Sequence, residues 1–284
     1  MKELQVTEHA LVFPCQGESL VGVLHLPTVP LETSIVIVVG GPQYRIGSHR
    51  QFVSLARAMA AQGHAVLRFD VRGMGDSTGA SRSFEQITRD IAAAVDEISQ
   101  RVPLARRIVL WGLCDGASAA LLYLHEVRDA RVRGLCLLNP WVRSDESLAR
   151  THLRHYYLRR LAQRDFWAKL LRGRITSAAV AELARKVRDA SRSVRSSSGP
   201  SAPFQRRMAQ AWREFSGSVL LLLSADDYTA KEFAEQVQAD PAWKGVLQRS
   251  GVSVRWVDAN HTFSEPAARA ALHEHTLAWL RATC

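Results

Sequence analysis

The residues Gly112-Leu113-Cys114-Asp115-Gly116 form the pattern in this chain that most clearly points to chemistry. They follow an apolar run at 107–111, typical of a buried strand, and precede a helical pattern at 117–127. A turn from strand into helix is tight, so small residues on both sides of the cysteine let neighbouring backbone pass close. The pattern predicts that Cys114 lies at a helix N-terminus, where the helix dipole favours a nucleophilic thiolate.

A cysteine nucleophile needs a proton carrier, and His261 is the candidate because it follows a predicted strand at 252–257. Asp227 follows a predicted strand at 218–223 and is the candidate acid. Open α/β sheets carry functional groups at the carboxyl ends of strands, and the order nucleophile, acid, histidine is that of a nucleophile elbow. We expect His261 to accept the thiol proton and pass it to the leaving group, while Asp227 fixes the tautomer.

Each assignment has an alternative. Asp226 competes with Asp227, which we favour because the acid tends to lie a few residues past the strand, and Asp258 is a weaker third candidate. Cys114 could be an inert buried side chain, and His261 could be a structural histidine.

An acyl-transfer transition state also needs donors for its oxyanion. The backbone N–H of Asp115, which follows the nucleophile, is the first candidate. The second donor should come from the loop after the predicted strand 34–39, but Pro42 in that loop has no N–H. We therefore assign the backbone N–H of Gln43.

Strand and helix patterns alternate on either side of a central segment, which predicts a mostly parallel sheet flanked by helices. The predicted strands are 6–13, 20–26, 34–39, 65–69, 107–111, 132–138, 218–223 and 252–257, of which the first two form an antiparallel lead-in. The predicted helices are 49–62, 84–99, 117–127, 230–238 and 266–281. The strands carry the candidate residues to one edge of the sheet.

The segment 141–216 interrupts this alternation and has no convincing strand, only helical, Arg-rich pieces. We interpret 1–140 and 217–284 as two parts of one core, and 141–216 as an inserted helical cap. The cap holds 17 Lys and Arg against 6 Asp and Glu, so the net charge of +10 is concentrated there. This favours an anionic substrate or carrier, such as a coenzyme A ester, an acyl-carrier protein or an acylated sugar phosphate. A basic surface that binds nothing in particular is the alternative, and nucleic acid is not expected because the cap has no reader motif.

Composition narrows the class of protein. Four irregularly spaced cysteines fit neither a disulfide scaffold nor a CxxC metal site, and we expect no metal and no cofactor. The N-terminus has no continuous apolar region of a secretory signal, and no apolar run is long enough for a transmembrane helix. These features predict a reduced, cytoplasmic protein.

Three motifs together resemble the α/β-hydrolase superfamily: Gly-x-Cys-x-Gly, the loop 69–77 with its Asp70-x-Arg72-Gly73-x-Gly75-x-Ser77 pattern, and a late His-x-Phe. The loop lacks the spacing and lysine of a P-loop and is predicted to be a structural turn beside the site. The strings 40–50 and 112–115 resemble one branch, the exosortase A system-associated hydrolase 1 family, named from bacterial gene clusters for exopolysaccharide production and protein sorting. Arg45 in the first string and Trp141 are assigned to substrate binding. The chain departs from common superfamily patterns where Gly40 replaces a histidine and cysteine replaces serine.

The leading hypothesis is a hydrolase that cleaves an ester or thioester through a Cys-His-Asp triad and an acyl-cysteine intermediate. The alternative is an acyltransferase that passes the acyl group to an alcohol or amine, as polyester synthases do with a similar elbow. A non-catalytic binding protein on the same fold is a third hypothesis. The substrate partner is a small-molecule or carrier-bound acyl group, and the sequence leaves the oligomeric state open.

Overall fold

An eight-stranded sheet organises the part of the chain that the computed structural model describes, which is residues 5–41, 43–143 and 203–283. The strands are β1 (Val6–Cys15), β2 (Glu18–Pro27), β3 (Thr33–Val38), β4 (Val66–Phe69), β5 (Arg107–Leu113), β6 (Val132–Leu138), β7 (Ser218–Asp226) and β8 (Val252–Asn260). Their order in the sheet is β1-β2-β4-β3-β5-β6-β7-β8. The pairs β1–β2 and β2–β4 are antiparallel and the other pairs are parallel, so the predicted antiparallel lead-in and mostly parallel sheet are confirmed.

Helices cover both faces of this sheet. They are α1 (Gln51–Ala60), α2 (Thr88–Arg101), α3 (Asp115–Val127), α4 (Phe204–Glu214), α5 (Tyr228–Ala239) and α6 (Pro266–Thr283). α1 and α6 contribute to the apolar cluster on one face, and α2, α3, α4 and α5 contribute to the cluster on the other. None of the described helices is long and apolar enough to cross a membrane.

The central strands are buried because their sequences are continuous runs of apolar residues. Every residue of β3 is buried: Val36 and Val38 face one cluster, while Ile35 and Ile37 face the other. A strand with apolar side chains on both faces suits only a sheet covered on both sides. This burial fixes the register of the strands and hence the positions of the loops that follow them.

Helix α1 begins later than predicted. The predicted start at 49 lies in a short 3-10 turn, Ser48–Arg50, in which His49 and Arg50 have φ of 52° and 57°. The preceding Gly47 has φ of 73°, and a Cβ there would lie 2.7 Å from the Phe52 ring. The chain is therefore in the left-handed region just before α1, which an α-helix cannot include.

The chain divides into two compact units, 1–142 with 203–284 and 143–202. The predicted cap helices fall almost wholly in the second unit and lie outside the described residues. The end of the predicted cap, 203–216, belongs to the first unit and forms α4. Met208 and Trp212 of α4 are fully buried, and the Trp212 ring stacks on Phe233 of α5 with centroids 6.2 Å apart.

Candidate active site

Cys114 occupies a strained turn between β5 and α3. Its φ of 58° and ψ of −126° lie outside the regions that non-glycine residues favour. A Cβ on Gly112 would lie 2.6 Å from the Ala117 nitrogen, and one on Gly116 would lie 2.4 Å from the Val38 oxygen. The predicted need for small residues on both sides of the cysteine is confirmed.

Backbone hydrogen bonds hold this turn in its strained conformation. The Cys114 N–H donates to the Leu138 oxygen at 2.9 Å, and the Cys114 oxygen accepts the Ala117 and Ser118 N–H groups of α3. The same oxygen accepts the Trp141 N–H at 3.2 Å, while the Ser118 hydroxyl donates to the Trp141 oxygen at 2.6 Å. Trp141, predicted to bind substrate, is therefore fixed beside the nucleophile through its backbone.

His261 and Asp227 come together at the carboxyl ends of β8 and β7. His261 Nδ1 donates to Asp227 Oδ2 at 2.8 Å, and the side chain of Cys114 is near enough to raise the pKa of the imidazole. Asp227 is the N-cap of α5 and accepts the Thr229 and Ala230 N–H groups at 3.1 and 3.3 Å. The Asp227 carboxylate thus joins the imidazole of His261 to the N-terminus of α5.

The electrostatic environment of His261 favours a protonated imidazole. The hydrogen bond to Asp227, and next the proximity of the Cys114 side chain, raise the pKa of His261 to about 10, against the effect of burial. Burial opposes ionisation of Asp227, but the hydrogen bond and charge of His261 and the two capping N–H groups outweigh it and lower the Asp227 pKa. At neutral pH His261 is therefore protonated.

The competing acids lie elsewhere. Asp226 is the last residue of β7 and is exposed, and Asp258 within β8 is also exposed. Asp227 is bonded to His261 because it lies one residue beyond the strand, where its side chain caps the next helix.

A tight turn presents His261 to its partners. Asn260 Oδ1 accepts the Thr262 and Ser264 N–H groups at 3.2 and 3.1 Å, and Phe263, with φ of 53°, is completely buried. The turn is therefore anchored on both sides of the imidazole by side chains close to it in sequence.

Asn139 is a site residue that the sequence reasoning missed. Fully buried at the end of β6, it donates from Nδ2 to the Ser224 hydroxyl at 2.9 Å and to the His261 oxygen at 3.4 Å. Its Oδ1 accepts the Ser224 N–H at 2.8 Å. Asn139 thus links the strand beside the nucleophile to the loop that carries the histidine. Its φ of 43°, which asparagine tolerates better than most residues, was the one local signal, hidden in an Asn-Pro pair.

Of the predicted oxyanion donors, Asp115 is the first residue of α3, and Gln43 lies in the loop after β3. The Asp115 carboxylate accepts the Gly41 N–H at 2.6 Å. The Gln43 N–H has no acceptor among the described residues, and the Gln43 side chain accepts the Gln51 amide at 3.4 Å. Pro42 lies outside the described residues.

Arg45 is held by carboxylates of the loop after β4. Its guanidinium bonds Asp70 Oδ2 and, at 2.6 Å, Asp76 Oδ2, and its N–H donates to Asp70 Oδ1 at 2.6 Å. Asp70 is completely buried, and a Cβ on Gly75 would lie 2.1 Å from its carboxylate. These contacts favour a structural role for Arg45 over the predicted contact with substrate, and they fit the structural turn predicted for the loop 69–77.

Within the described ranges, no three His, Cys, Asp or Glu side chains converge as metal ligands would.

The family model described as Serine aminopeptidase, S33 matches residues 33–227, which is more than half of the chain. The chain belongs to the serine aminopeptidase S33 family. The match includes Cys114 and Asp227 and ends before His261. Members of this family are usually serine hydrolases, whereas the Gly-x-Cys-x-Gly turn of this chain holds Cys114.

Solved structures agree with the family on the fold. An esterase from Pyrococcus furiosus, Pf2001, is 15% identical with a TM-score of 0.65 and covers 98% of this chain and 93% of its own. Dienelactone hydrolase from Anabaena variabilis is 14% identical with a TM-score of 0.62 and covers 98% of this chain and 99% of its own. Est1E from Butyrivibrio proteoclasticus, solved with ferulic acid bound, is 14% identical with a TM-score of 0.59, covering 96% of this chain and all of its own. No curated protein matches the sequence.

The S33 family and these neighbours establish the α/β-hydrolase fold that the sequence predicted and a hydrolase as the class of enzyme.

Proposed function

We propose that this S33 family member cleaves an ester or thioester through a covalent acyl-cysteine on Cys114, with His261 and Asp227 as proton carrier and orienting acid. The observation that carries the proposal is the hydrogen bond between His261 and Asp227, in a site where the Cys114 side chain also raises the pKa of His261. A protonated imidazole beside a cysteine at a helix N-terminus is the arrangement that activates a sulfur nucleophile.

The steps follow from where the proton is held. The Cys114 sulfur attacks the acyl carbon, and the carbonyl oxygen becomes an oxyanion facing the N–H groups of Asp115 and Gln43. The bond to the leaving group breaks as His261 gives that group its proton, which leaves a thioester on Cys114 and a neutral imidazole. His261 then takes a proton from water as it attacks the thioester, and the acid product leaves with the cysteine regenerated.

The first experiment is intact-mass analysis of the full chain mixed with p-nitrophenyl butyrate. We expect the mass of one butyryl group on Cys114 in the wild type and none in Cys114→Ala. Cys15→Ala is the matched control, because Cys15 is buried against the opposite part of the sheet and should leave the adduct intact. A wild-type chain that releases acid without any adduct on Cys114, or a Cys114→Ala chain that keeps full turnover, would refute the proposal.

Acyl transfer to an alcohol or amine uses the same acyl-enzyme, and the resemblance to a family from exopolysaccharide gene clusters keeps it as the alternative. Turnover with and without added acceptors separates the two, since an enzyme that releases product only with an acceptor is a transferase.

For the substrate, we propose an acyl group on an anionic carrier, supported by the 17 Lys and Arg against 6 Asp and Glu in 141–216. Acyl-coenzyme A should then be cleaved with higher kcat/KM than the neutral N-acetylcysteamine thioester of the same acyl group, and salt should reduce the difference. Neutralising Arg154, Arg159 and Arg160 together should likewise reduce the difference in kcat/KM between the two thioesters. Equal kcat/KM for both thioesters at low salt would contradict this substrate class.

A further inference from the structure

The Asp115 carboxylate makes a contact that the catalytic steps do not use. It lies against the backbone of Gly40 and Gly41: a Cβ on Gly40 would be 2.0 Å from Asp115 Oδ1, and the Gly41 N–H bonds Oδ2 at 2.6 Å. The side chain of the residue after the nucleophile therefore fills the space beside the loop that supplies the second oxyanion donor.

This contact joins two parts of the oxyanion site. The hydrogen bonds that hold the loop after β3 include those of Gly41 to Asp115, the Gln43 side chain to Gln51, and the Arg45 N–H to Asp70. Of these three, the bond to Asp115 reaches the turn that carries the nucleophile. This bond therefore connects the loop directly to the residue after Cys114. Gly41, which makes the bond, lies two residues before Gln43, whose N–H is the second oxyanion donor.

The Asp115 carboxylate lies in the first turn of α3, where a helix N-terminus favours an anion. The backbone N–H groups of Gly41, Asp115 and Gly116 act to lower its pKa. Burial raises the pKa of this carboxyl, against the effect of these N–H groups.

We propose that Asp115 is a positioning residue whose carboxylate, by holding the Gly41 N–H, sets the Gln43 N–H at the distance from Cys114 that the oxyanion requires. One residue then supplies the first oxyanion donor through its backbone and positions the second through its side chain. The inference rests on the proposed function, because it assumes that Cys114 attacks a carbonyl.

The test compares two reactions of Cys114, of which one forms an oxyanion. Acylation by p-nitrophenyl butyrate passes through a tetrahedral oxyanion, whereas alkylation by iodoacetamide is a displacement at carbon that forms none. Both adducts are followed by intact mass in single-turnover experiments on the full chain. In Asp115→Ala we expect acylation to slow by about 10²- to 10³-fold, the effect typical of losing one oxyanion donor. Alkylation should stay within about threefold of the wild-type rate, since the thiol and His261 are untouched.

Two further variants separate positioning from general damage. Asp115→Asn keeps one acceptor oxygen for the Gly41 N–H, so it should recover acylation to within about tenfold of wild type. Asp240→Ala is the matched control, because the Asp240 carboxylate also accepts a backbone N–H, that of Ala242 at the start of a 3-10 turn, and both rates should be unchanged.

Acylation of Asp115→Ala at or above the wild-type rate would overturn the inference. The carboxylate would then either compete with the oxyanion for its N–H donors or have no effect on acylation. Acylation and alkylation that slow in parallel would also overturn it, since the defect would lie in the thiol or the fold. If Asp115→Ala does not fold, Asp115→Asn decides: acylation slowed as much as alkylation counts against the inference. A wild-type chain that iodoacetamide alkylates and the ester never acylates would instead refute the proposed function itself.

Discussion

Two glycine-rich loops leave the same edge of the sheet and use their polar groups in opposite ways. The loop after β4 closes on itself: the buried Asp70 carboxylate is taken up by Arg45 and by the Asp76 N–H. The turn after β5 holds Cys114 in a strained conformation and leaves it partly exposed.

The same contrast extends to the charged pairs behind each loop. Arg72 and Asp90, which support the β4 loop, are almost completely buried and joined by several hydrogen bonds, including one of 2.8 Å. His261 keeps about a third of its side chain exposed beside Asp227. Glycines and polar residues therefore do not by themselves mark a reactive loop. The reactive one is the loop whose polar groups are held in place but remain open to a ligand.

The largest expected effect is on the reactive side. His261→Gln removes the proton carrier, so acylation of Cys114 per folded molecule should fall by about 10³- to 10⁴-fold. Single-turnover mass analysis measures the acylation rate, and urea unfolding gives the folded fraction. His275→Gln on α6 is the control and should acylate normally. An acylation rate within threefold of wild type in His261→Gln would contradict the interpretation of the turn after β5 as reactive and the loop after β4 as structural.

For the loop after β4 we expect mutations to reduce stability rather than reactivity. Asp90→Ala leaves the buried Arg72 charge without its carboxylate and should lower the free energy of unfolding by about 3–5 kcal/mol. Acylation per folded molecule should be unchanged. Asp96→Ala on the same helix is the control: Asp96 is 55% exposed in its pair with Arg131, so the cost should be below about 1 kcal/mol. Equal losses in the two variants would contradict a structural role for the buried pair.

Asn139 is expected to affect both stability and reactivity. Asn139→Ala leaves the buried Ser224 N–H without an acceptor and should cost about 1–3 kcal/mol of stability. It also frees the His261 loop, so acylation should slow as well. Ser224→Ala, which keeps the bond from Asn139 to His261, should acylate at the wild-type rate. If the two variants acylate equally, Asn139 does not position the histidine.

The smallest predicted change is a shift in titration. Asp227→Asn removes the largest cause of the raised His261 pKa, so the imidazole should titrate below the wild-type value of about 10, as followed by NMR of labelled histidine. Because the folded-state pKa is raised from 6.5, the stability that His261 contributes is complete below about pH 6.5 and is lost as the pH rises through about 10. The difference in unfolding free energy between wild type and His261→Gln should therefore be larger at about pH 6 than at about pH 10.5. A difference that grows with pH would contradict the assigned sign.

Local pattern was enough to predict the sheet and the contact between His261 and Asp227. Alternating apolar runs and helical spacing gave the strands, and the rule that parallel strands share an edge brought Cys114, Asp227 and His261 together. The strained turn was also predictable, because glycines at 112 and 116 have little other reason to flank a cysteine between a strand and a helix.

Contacts between distant side chains were not predictable. Asn139 bonds Ser224 across 85 positions and reads locally as a strand end before proline. The Asp115 carboxylate reaches Gly41 across 74 positions, and the sequence suggested only its backbone N–H. Helix α4 was assigned to the basic insertion because its arginines hide the narrow apolar face that buries Met208 and Trp212.

Asp227 caps α5 and orients His261 with the same carboxylate. When the first turn of α5 frays, the capping bonds and the imidazole lose their common partner, so local opening of one helix end switches off the proton relay without global unfolding. Hydrogen exchange at the Thr229 and Ala230 amides therefore reports how often the contact between Asp227 and His261 is lost. A bound ligand that strengthens the contact between His261 and Asp227 would slow that exchange from outside the helix.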